Sequence, residues 1–446
     1  MEGKPDWLSG FPVQIYCNRS DFVKLLIRQG RLVDPVGGIG GVMDVLLEDG
    51  RVAVIGSDVH EPDAQVIDAR GMIVCAGLVD MHVHLRDPGQ THKGDILTET
   101  AAAAAGGVTG VACMPNTTPA VDCVETLEYI RTRAQAASAH VYPIAAISAG
   151  LGGGELTDMD ALAAAGARGF SDDGRPVESD DMMAAAMKTA ARLGVPIISH
   201  CEDMEFARGG LVNTGAAARL GVPAMHPQAE TNMVRRDIAL SERLSVPVHI
   251  AHVSAKESVE AIREAKKRGV RVTAETCPHY CALTEALTLS RDADYRMNPP
   301  LRTQADVEAV IAGLQDDTID ILVTDHAPHA PAEKADFAAA PNGVVGLETS
   351  FAACLTHLVR PGHLTLSRLV HKMSFLPAAL LHVPPVELTP GCEADLMLFD
   401  PDFSWTVDPA RLRSKSRNTP YKGMTLTGKV MLTLLGGKIV YRDAAF

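Results

Sequence analysis

Eight apolar runs alternate with helical patterns between residues 77 and 375, and this alternation constrains the fold more than any other feature. The runs are continuous rather than polar at every second residue, which is typical of parallel strands buried on both faces. They cover residues 77–84, 108–116, 140–148, 167–173, 195–200, 246–254, 270–276 and 319–325. Eight such units predict an α/β fold with a closed, TIM-like (β/α)8 barrel, because right-handed crossovers return each strand beside the previous one.

Helix signals lie between these runs. Helices are predicted over residues 158–165, 179–193, 229–244 and 255–268. Ser179 and Thr303 occupy N-cap positions, and Asp306 follows Thr303 at the spacing of a capping box. Gly194 and Gly269 stand where a helix ends in a left-handed residue. The alternative fold is an open doubly wound sheet, which is disfavoured because no GxGxxG phosphate loop follows the first run.

The two ends of the chain have a different pattern. Residues 22–76 and 385–446 contain short β patterns, with hairpin-type turns at Asp49-Gly50 and Gly436-Gly437. Neither end is long enough for a sizeable core of its own. We therefore expect one small β-sandwich domain formed by both termini, beside a barrel spanning 77–384, and a loose N-terminal tail over 1–21.

Charge and composition exclude several classes of protein. The 446 residues carry a formal net charge of −14, which argues against nucleic acid as the main partner. The longest weakly apolar run, 101–114, is too short to cross a bilayer, and the first twenty residues do not resemble a signal peptide. The nine cysteines include no CxxC pair and are expected to be reduced thiols, so the predicted location is the cytoplasm.

A candidate metal site falls at the ends of the strand-like runs. His82 and His84 are two residues apart in the first run and therefore share one face of a strand. Other runs end in Asp172-Asp173, His200, His252 and Asp325. Because all strands of a barrel end at one mouth, these side chains are predicted to converge there. Imidazole and carboxylate ligands favour zinc, and their number favours two ions sharing one carboxylate, from either Asp172 or Asp173.

Such a site predicts hydrolytic chemistry. A metal pair activates water near neutral pH and polarises a carbonyl group. Asp325, at the edge of the set, could move the proton between the water and a leaving nitrogen. The expected reaction is hydrolysis of an amide-like bond or its reverse. The remaining histidines that lack this placement are expected on the surface or in packing roles: His92, His140, His226, His249, His279 and His363.

Several motifs resemble those of dihydroorotases of the bacterial type I, in the amidohydrolase superfamily. The sequence Asp-Met-His-Val-His-Leu-Arg-Asp-Pro-Gly at 80–89 resembles the family signature, and similar motifs stand at 114–117, 170–174, 200–203, 252–254, 297–302 and 324–329. The resemblance implies a metal-dependent (β/α)8 barrel with a small β domain from both termini. It implies zinc, two ions per subunit, bound by His82, His84, Asp173, His200, His252 and Asp325. Asp325 would also serve as general base and acid.

The resemblance also implies a substrate and its contacts. The reaction would be the reversible cyclisation of N-carbamoyl-L-aspartate to (S)-dihydroorotate in pyrimidine (UMP) biosynthesis. The implied substrate-binding residues are His84, Arg86, Asn116, Asn298, His329 and the backbone of Asn342 and Gly343. Arg86 is two residues from His84, so its guanidinium can hold the substrate carboxylate that does not react. A homodimer and an assembly with aspartate transcarbamoylase are both arrangements that the family allows.

Two alternative functions remain open at this point. Relatives such as hydantoinases, dihydropyrimidinases and allantoinases resemble this chain, but the first two use a carboxylated lysine on strand four. The run 167–173 contains no lysine, and the next one is Lys188. The second alternative is a non-catalytic partner of aspartate transcarbamoylase, which is disfavoured because the chain retains every expected ligand.

Overall fold

A computed structural model of the chain describes residues 24–384 and 387–446. The predicted N-terminal tail, residues 1–21, lies outside this range. The strands are β1 Leu25–Val33, β2 Gly40–Glu48, β3 Arg51–Gly56, β4 Gln65–Asp68, β5 Ile73–Ala76, β6 Leu78–Val83, β7 Val108–Cys113, β8 His140–Pro143, β9 Ile198–Ser199, β10 Val212–Asn213, β11 Ala224–Met225, β12 Val248–Ile250, β13 Val272–Thr276, β14 Ile321–Leu322, β15 Leu396–Thr406, β16 Thr425–Leu435 and β17 Lys438–Arg442.

The helices lie almost entirely in the central part of the chain. They are α1 Ile96–Ala105, α2 Val124–Arg133, α3 Met159–Ala164, α4 Asp180–Leu193, α5 Met204–Ala207, α6 Thr214–Leu220, α7 Pro227–Leu244, α8 Lys256–Lys267, α9 Pro278–Ala282, α10 Gln304–Gln315, α11 Ser350–Cys354, α12 Leu366–Val370 and α13 Leu376–Leu380. Shorter 3-10 turns and two π-helical turns, Leu355–Val359 and His371–Phe375, complete the helical segments.

Both ends of the chain contribute to one sheet. Its eight strands are ordered β17-β16-β15-β5-β1-β2-β3, with β4 paired to β1. The predicted turns at Asp49-Gly50 and Gly436-Gly437 are confirmed, and all four residues have the positive φ that tight hairpins need. Apolar side chains from both ends, such as Leu32, Leu398 and Leu432, form a shared core. The shared sheet therefore gives the two ends of the chain a common apolar core.

The central strands are parallel. Strands β6-β7-β8 form one sheet, and β14-β13-β12-β9 form another. Isolated parallel bridges join Ala145 to Phe170, Phe170 to Ile197 and Val83 to His326. Every one of these strands is followed by a helical segment, so the central part has a mixed α/β architecture with its strand ends on one side.

The fourth predicted strand, 167–173, forms only one bridging residue. The amide of Phe170 donates to the carbonyl of Pro196, and the carbonyl of Phe170 accepts from Ile198, so the pairing on this side is parallel. The chain then turns, since the amide of Arg175 donates back to the carbonyl of Asp172. The apolar run is therefore buried as predicted, but the turn ends its ladder early.

The predicted helix caps are confirmed. The Ser179 side chain accepts from the amide of Met182 at the start of α4, and Gly194 ends that helix in the left-handed conformation. Thr303 and Asp306 form a reciprocal capping box at the start of α10. These local signals determine where the two helices begin and where α4 ends. They thereby also limit the lengths of the adjoining loops.

Two further observations concern the whole described chain. Among its helices, none combines the length and apolarity needed to span a bilayer. Its cysteines are all free thiols: Cys75, Cys113, Cys123, Cys201, Cys277, Cys281, Cys354 and Cys392.

Candidate active site

A cavity of about 240 Å³ opens where the parallel strands end. It is lined by His84, Arg86, Asn116, Asp173, Gly174, His200, His252, Asn298, Asp325, Ala327, His329, Asn342 and Gly343. Of the site residues that the family resemblance implies, all except His82 are in this lining, and the alternative carboxylate Asp172 is not. His82 is completely buried and contacts Asp173 from within the protein.

The first group of candidate ligands comes from the end of β6. Nε2 of His82 lies 3.2 Å from Oδ1 of Asp173, and Nε2 of His84 lies 3.4 Å from its Oδ2. Asp325 is adjacent, with Oδ1 at 3.1 Å from Nε2 of His84 and 3.7 Å from Nε2 of His82. Alternation along the strand thus directs both imidazoles to the same carboxylate, as the His-x-His spacing predicts.

The second group follows β9 and β12. Nδ1 of His200 lies 2.9 Å from Nε2 of His252. Their distances to Oδ1 of Asp173 are 3.6 and 3.8 Å. In each group of three, one ligand atom per residue lies within 4.8 Å of the others, and Asp173 belongs to both groups. One carboxylate therefore joins the two groups.

The choice between the two adjacent aspartates is made by their hydrogen bonds. Asp172 accepts from the amides of Ile147, at 2.8 Å, and Ser148, at 3.0 Å, and from the Ser148 hydroxyl. The carboxylate of Asp172 is therefore hydrogen-bonded to the loop after β8. The carboxylate of Asp173 instead faces the histidine cluster, with His82, His84, His200 and His252 within 3.8 Å.

Unpaired buried atoms test whether this cluster fits a metal. Nε2 of His82, Oδ1 of Asp173 and Nδ1 of His252 are buried and have no hydrogen-bond partner among the described residues. Buried polar atoms without partners cost free energy and are rare in folded proteins. Imidazole nitrogens and carboxylate oxygens are the donors that zinc and related divalent metals prefer. The residues of this site fit a metal centre.

The charges in the cluster are strongly coupled. Burial lowers the pKa of His82, but Asp173 and Glu275 outweigh it and hold that pKa well above its ordinary value. Burial raises the pKa of Asp173, but the charge of His82 and the adjacent imidazoles of His200 and His252 hold that pKa well below its ordinary value. The carboxylate is consequently ionised, which is the form that a cation needs.

Two acidic residues near the cluster were not predicted from the sequence. Oε1 of Glu275 lies 2.6 Å from Nδ1 of His82, and its Oε2 lies 3.1 Å from Nε2 of His249. Oε2 of Glu202 lies 3.0 Å from Nε2 of His200. The available signal for Glu275 was a carboxylate near the end of the apolar run 270–276, which also contains Arg271. Glu202 stood within one of the quoted motifs, but its partner could not be read from the sequence.

The cavity lining also contains a positively charged side chain, that of Arg86. This side chain is buried, its Nε donates to the carbonyl of Pro328 at 3.1 Å, and Nη2 lies 3.4 Å from Nε2 of His329. Burial lowers the pKa of Arg86 to about 10, so the guanidinium stays charged at neutral pH. Burial and Arg86 lower the pKa of His329 to about 2. Neutral His329 therefore donates from Nε2 to the carbonyl of Asn342, at 2.8 Å.

The two asparagines contact the candidate ligands or their neighbours. Oδ1 of Asn116 accepts from Nδ1 of His84 at 2.8 Å, which orients that ring. Nδ2 of Asn298 donates to Oε1 of Glu202 at 3.1 Å. Both amides line the cavity and retain further hydrogen-bonding capacity toward it.

Three site residues adopt strained backbone conformations. Arg86, His252 and Asp325 have φ of 61°, 35° and 48°. Residues other than glycine rarely adopt such angles, which cost on the order of 1–3 kcal/mol each and cluster at functional sites. The surrounding packing thus maintains an arrangement that local preferences oppose.

Comparisons with known proteins show which family this chain is similar to. A family model described as Dihydro-orotase-like matches residues 71–258. Dihydroorotases from Acetivibrio thermocellus and Syntrophus aciditrophicus are each 47% identical over 94% of this chain, covering 99% and 100% of the relatives. One from Anaeromyxobacter dehalogenans is 48% identical over 94% of this chain and 98% of its own length.

Solved structures show the same architecture. L-Hydantoinase from Arthrobacter aurescens superposes with a TM-score of 0.84 at 28% identity, covering 94% of this chain and 96% of that one. Dihydropyrimidinase from Brevibacillus agri has a TM-score of 0.81 at 25% identity, covering 94% and 95%. Both are less similar in sequence than the curated relatives are. The chain belongs to the dihydroorotase family and is a cyclic amidohydrolase.

Proposed function

We propose that this chain is a zinc-dependent dihydroorotase that interconverts N-carbamoyl-L-aspartate and (S)-dihydroorotate in pyrimidine biosynthesis. The observation that carries the proposal is one cavity of about 240 Å³ that is lined by members of both histidine groups, by their shared Asp173 and by the buried cation Arg86. The relatives named dihydroorotase share 46–48% of their residues with this chain. Family membership and cavity chemistry therefore support the same reaction.

The proposed metal ligands are His82, His84, Asp173, His200, His252 and Asp325, with Asp173 shared between two zinc ions. The two overlapping groups of three support this count. Bound ions would supply two effects here: polarisation of the substrate carbonyl group and a lowered pKa of a water molecule. Glu275 and Asn116 support this role, since each contacts the Nδ1 nitrogen of one candidate ligand, His82 or His84, and orients its ring.

The substrate is proposed to bind through its charge and shape. The guanidinium of Arg86 pairs with the carboxylate that does not react, since a planar cation matches a carboxylate in two hydrogen bonds. Asn116, Asn298 and His329 contribute side-chain contacts, and the backbone of Asn342 and Gly343 contributes further ones. His84 lies in the same wall of the cavity. A local cation attracts the dianionic substrate despite the net charge of −14, because distant charges are screened.

Asp325 is proposed to transfer the proton. Burial raises its pKa, but the hydrogen bond from His84 and the charge of His82 hold the pKa below its ordinary value. The ionised carboxylate can accept a proton from the water that attacks the ring carbonyl, and can return it to the ring nitrogen as the carbon–nitrogen bond breaks. In the cyclisation direction the same carboxylate receives the proton from the attacking nitrogen.

A hydantoinase or dihydropyrimidinase activity is the nearest alternative, because solved structures with those names share the fold. Arg86 distinguishes the two. Hydantoin and dihydropyrimidine rings lack the carboxylate of dihydroorotate, so a buried guanidinium in the cavity would have no partner on them. The bridging position also holds Asp173, where the alternative requires lysine. A non-catalytic role is disfavoured because all candidate ligands are present.

The proposed setting of the enzyme follows from the fold. The isolated bridges at Phe170 and between Val83 and His326 support closure of the parallel strands into a (β/α)8 barrel. We further propose that residues 77–384 are the barrel domain and that 22–76 with 385–446 fold as a β-sandwich. The free cysteines support a cytoplasmic location. A homodimer or a complex with aspartate transcarbamoylase remains part of the proposal.

The decisive experiment is a dihydroorotate hydrolysis assay with and without a chelator, and with hydantoin as the competing substrate. We expect hydrolysis of dihydroorotate, loss of activity on chelation and recovery on adding zinc. Asp325→Asn should lower kcat by about 10²–10⁴-fold with the fold intact. Hydantoin hydrolysis without dihydroorotate hydrolysis would replace the proposal by its alternative. Failure to hydrolyse either ring, in protein carrying stoichiometric zinc, would remove the cyclic amide as substrate.

A further inference from the structure

A side chain from the C-terminal part of the sequence reaches the wall of the cavity. Asn418 lies between β15 and β16, far along the chain from the parallel strands, and it is buried. Its Nδ2 donates to the carbonyls of Ala327, at 3.1 Å, and Gly343, at 3.0 Å. Its Oδ1 accepts from the amide of His329 at 3.2 Å. Both ends of its amide group are thus used.

These partners belong to two separate stretches of chain, 327–329 and 342–343, that together form one wall of the cavity. Ala327 and His329 follow β14, whereas Gly343 lies on the return of the next loop, and all three line the cavity. The backbone carbonyl of Asn418 also accepts from the amide of Val345 at 3.0 Å. One asparagine therefore fixes the spacing between the two stretches.

The contact tolerates little displacement. Gly343 has φ of 131°, and a Cβ placed on it would lie 2.7 Å from Cβ of Ala327 and 3.0 Å from Nε2 of His329. There is consequently no room for a side chain at position 343 beside Ala327 and the ring of His329. A shift of either stretch would move both the imidazole and the backbone groups proposed to hold the substrate.

Asn418 is itself held by the segment around it. Ser414, Ser416 and Asn418 are buried. The amide of Ser414 donates to Glu348 at 3.0 Å, and the amide of Lys415 donates to Glu99 at 3.1 Å. Glu99 is in α1, and Glu348 precedes α11, so the segment is tied to two elements of the central α/β part. Asn418 therefore belongs to a buried segment that is hydrogen-bonded to the central part of the protein through Glu99 and Glu348.

We propose that Asn418 is a positioning residue for substrate binding, through which the C-terminal segment sets the geometry of the Ala327–His329 and Asn342–Gly343 wall. The inference rests on the proposed function, because only that function makes this wall of the cavity a substrate-binding surface. The hydrogen bonds of Asn418 go to Ala327, His329, Gly343 and Val345, and to no candidate metal ligand. Its loss should affect substrate affinity and leave metal content unchanged.

The test compares Asn418→Ala and the milder Asn418→Ser with Asn213→Ala. Asn213 is the control, since it is likewise buried and both ends of its side-chain amide are hydrogen-bonded, to Glu285 and Arg302, outside the cavity lining. For the Asn418 variants we expect the KM for dihydroorotate to rise about tenfold, because small misplacements of binding groups are costly. The kcat should change much less. Zinc content should match the wild type, and Asn213→Ala should keep the wild-type KM.

Hydrogen exchange provides a readout that does not depend on activity. In the Asn418 variants, amides of the peptides covering 327–329 and 343–345 should exchange faster than in the wild type, while those of α4 should not. An unchanged KM and unchanged exchange in either folded Asn418 variant would overturn the inference. So would an equal rise in KM for Asn213→Ala. Wild-type protein that is inactive on dihydroorotate while exchange still responds to Asn418→Ser would instead count against the proposed function.

Discussion

Nδ1 of His82 lies 2.6 Å from Oε1 of Glu275, and both side chains are fully buried. The carboxylate accepts a hydrogen bond from Nδ1–H, and the opposite nitrogen, Nε2, faces Asp173. The same Glu275 contacts His249, so one acid from β13 orients a residue of β6 and one of β12. An acid in this position fixes the tautomer and direction of a metal-binding imidazole.

The first prediction concerns this acid. Glu275→Gln should weaken metal affinity by about 10–100-fold, because residues that orient metal-binding histidines have effects of this size. The measurement is zinc content after dialysis against a graded series of chelator concentrations. Glu230→Gln is the control, since Glu230 is equally buried but contacts Ser254 and Arg302 rather than a candidate ligand. Equal zinc retention by the two variants would show that Glu275 has no role in metal binding.

The second prediction concerns the carboxylate shared by both ligand groups. His84→Ala removes a member of one group, and His252→Ala removes a member of the other, whereas Asp173→Ala weakens both. We expect Asp173→Ala to retain less zinc per chain than either histidine variant. Metal analysis of the three proteins, purified in parallel, provides the comparison. If Asp173→Ala kept as much zinc as His84→Ala, the bridging role would be wrong.

The third prediction concerns the buried cation. Arg86→Met preserves much of the side-chain volume but removes the charge that faces the substrate carboxylate. Loss of such a charge-assisted pair should raise KM by about 10–100-fold, since hydrogen bonds to charged groups contribute about 1.5–3 kcal/mol. Zinc content should be unchanged. Steady-state kinetics with dihydroorotate and with hydantoin would separate the effects, because hydantoin has no carboxylate for Arg86 to bind.

The fourth prediction concerns stability against pH. Nζ of Lys334 donates to the carbonyls of Arg296 and Pro341, and burial lowers the pKa of Lys334 from 10.5 to about 7. Between these values the unfolded chain binds more protons at this site than the folded chain, so stability rises with pH across that window. The slope from this group is at most about 1.4 kcal/mol per pH unit.

The variant Lys334→Met lacks this titration. The difference in melting temperature between wild type and Lys334→Met should therefore shift in favour of the wild type as pH rises from 7 to 10. Calorimetry at several pH values measures it. A difference that is independent of pH would mean that Lys334 is not deprotonated in the folded protein.

Much of the local structure could be predicted from the sequence. The caps at Ser179 and Thr303 and the hairpins at Asp49-Gly50 and Gly436-Gly437 depend on interactions between residues a few positions apart. The spacing of His82 and His84 likewise follows from the two-residue period of a strand. Such features are decided by short-range geometry, so their residues are sufficient to reveal them.

Other features depend on contacts across long distances in the chain. Residue type and strand position left Asp172 and Asp173 equivalent, and the family resemblance alone implied Asp173. In the structure the loop amides of Ile147 and Ser148 bind Asp172, which leaves Asp173 for the histidines. The run 167–173 had the composition of a strand, but the turn after Phe170 limits it to one bridging residue. Neither outcome is encoded in the neighbours of these residues.

The sequence by itself determined the alternation of strands and helices, the residue types of the site and its family. The tertiary structure decided which partners those residues have: Glu275 for His82, and Asn418 for the wall that contains His329 and Gly343. The physical reason is that a side chain's hydrogen bonds depend on which distant segments pack beside it. That packing is a property of the whole folded chain rather than of any local pattern.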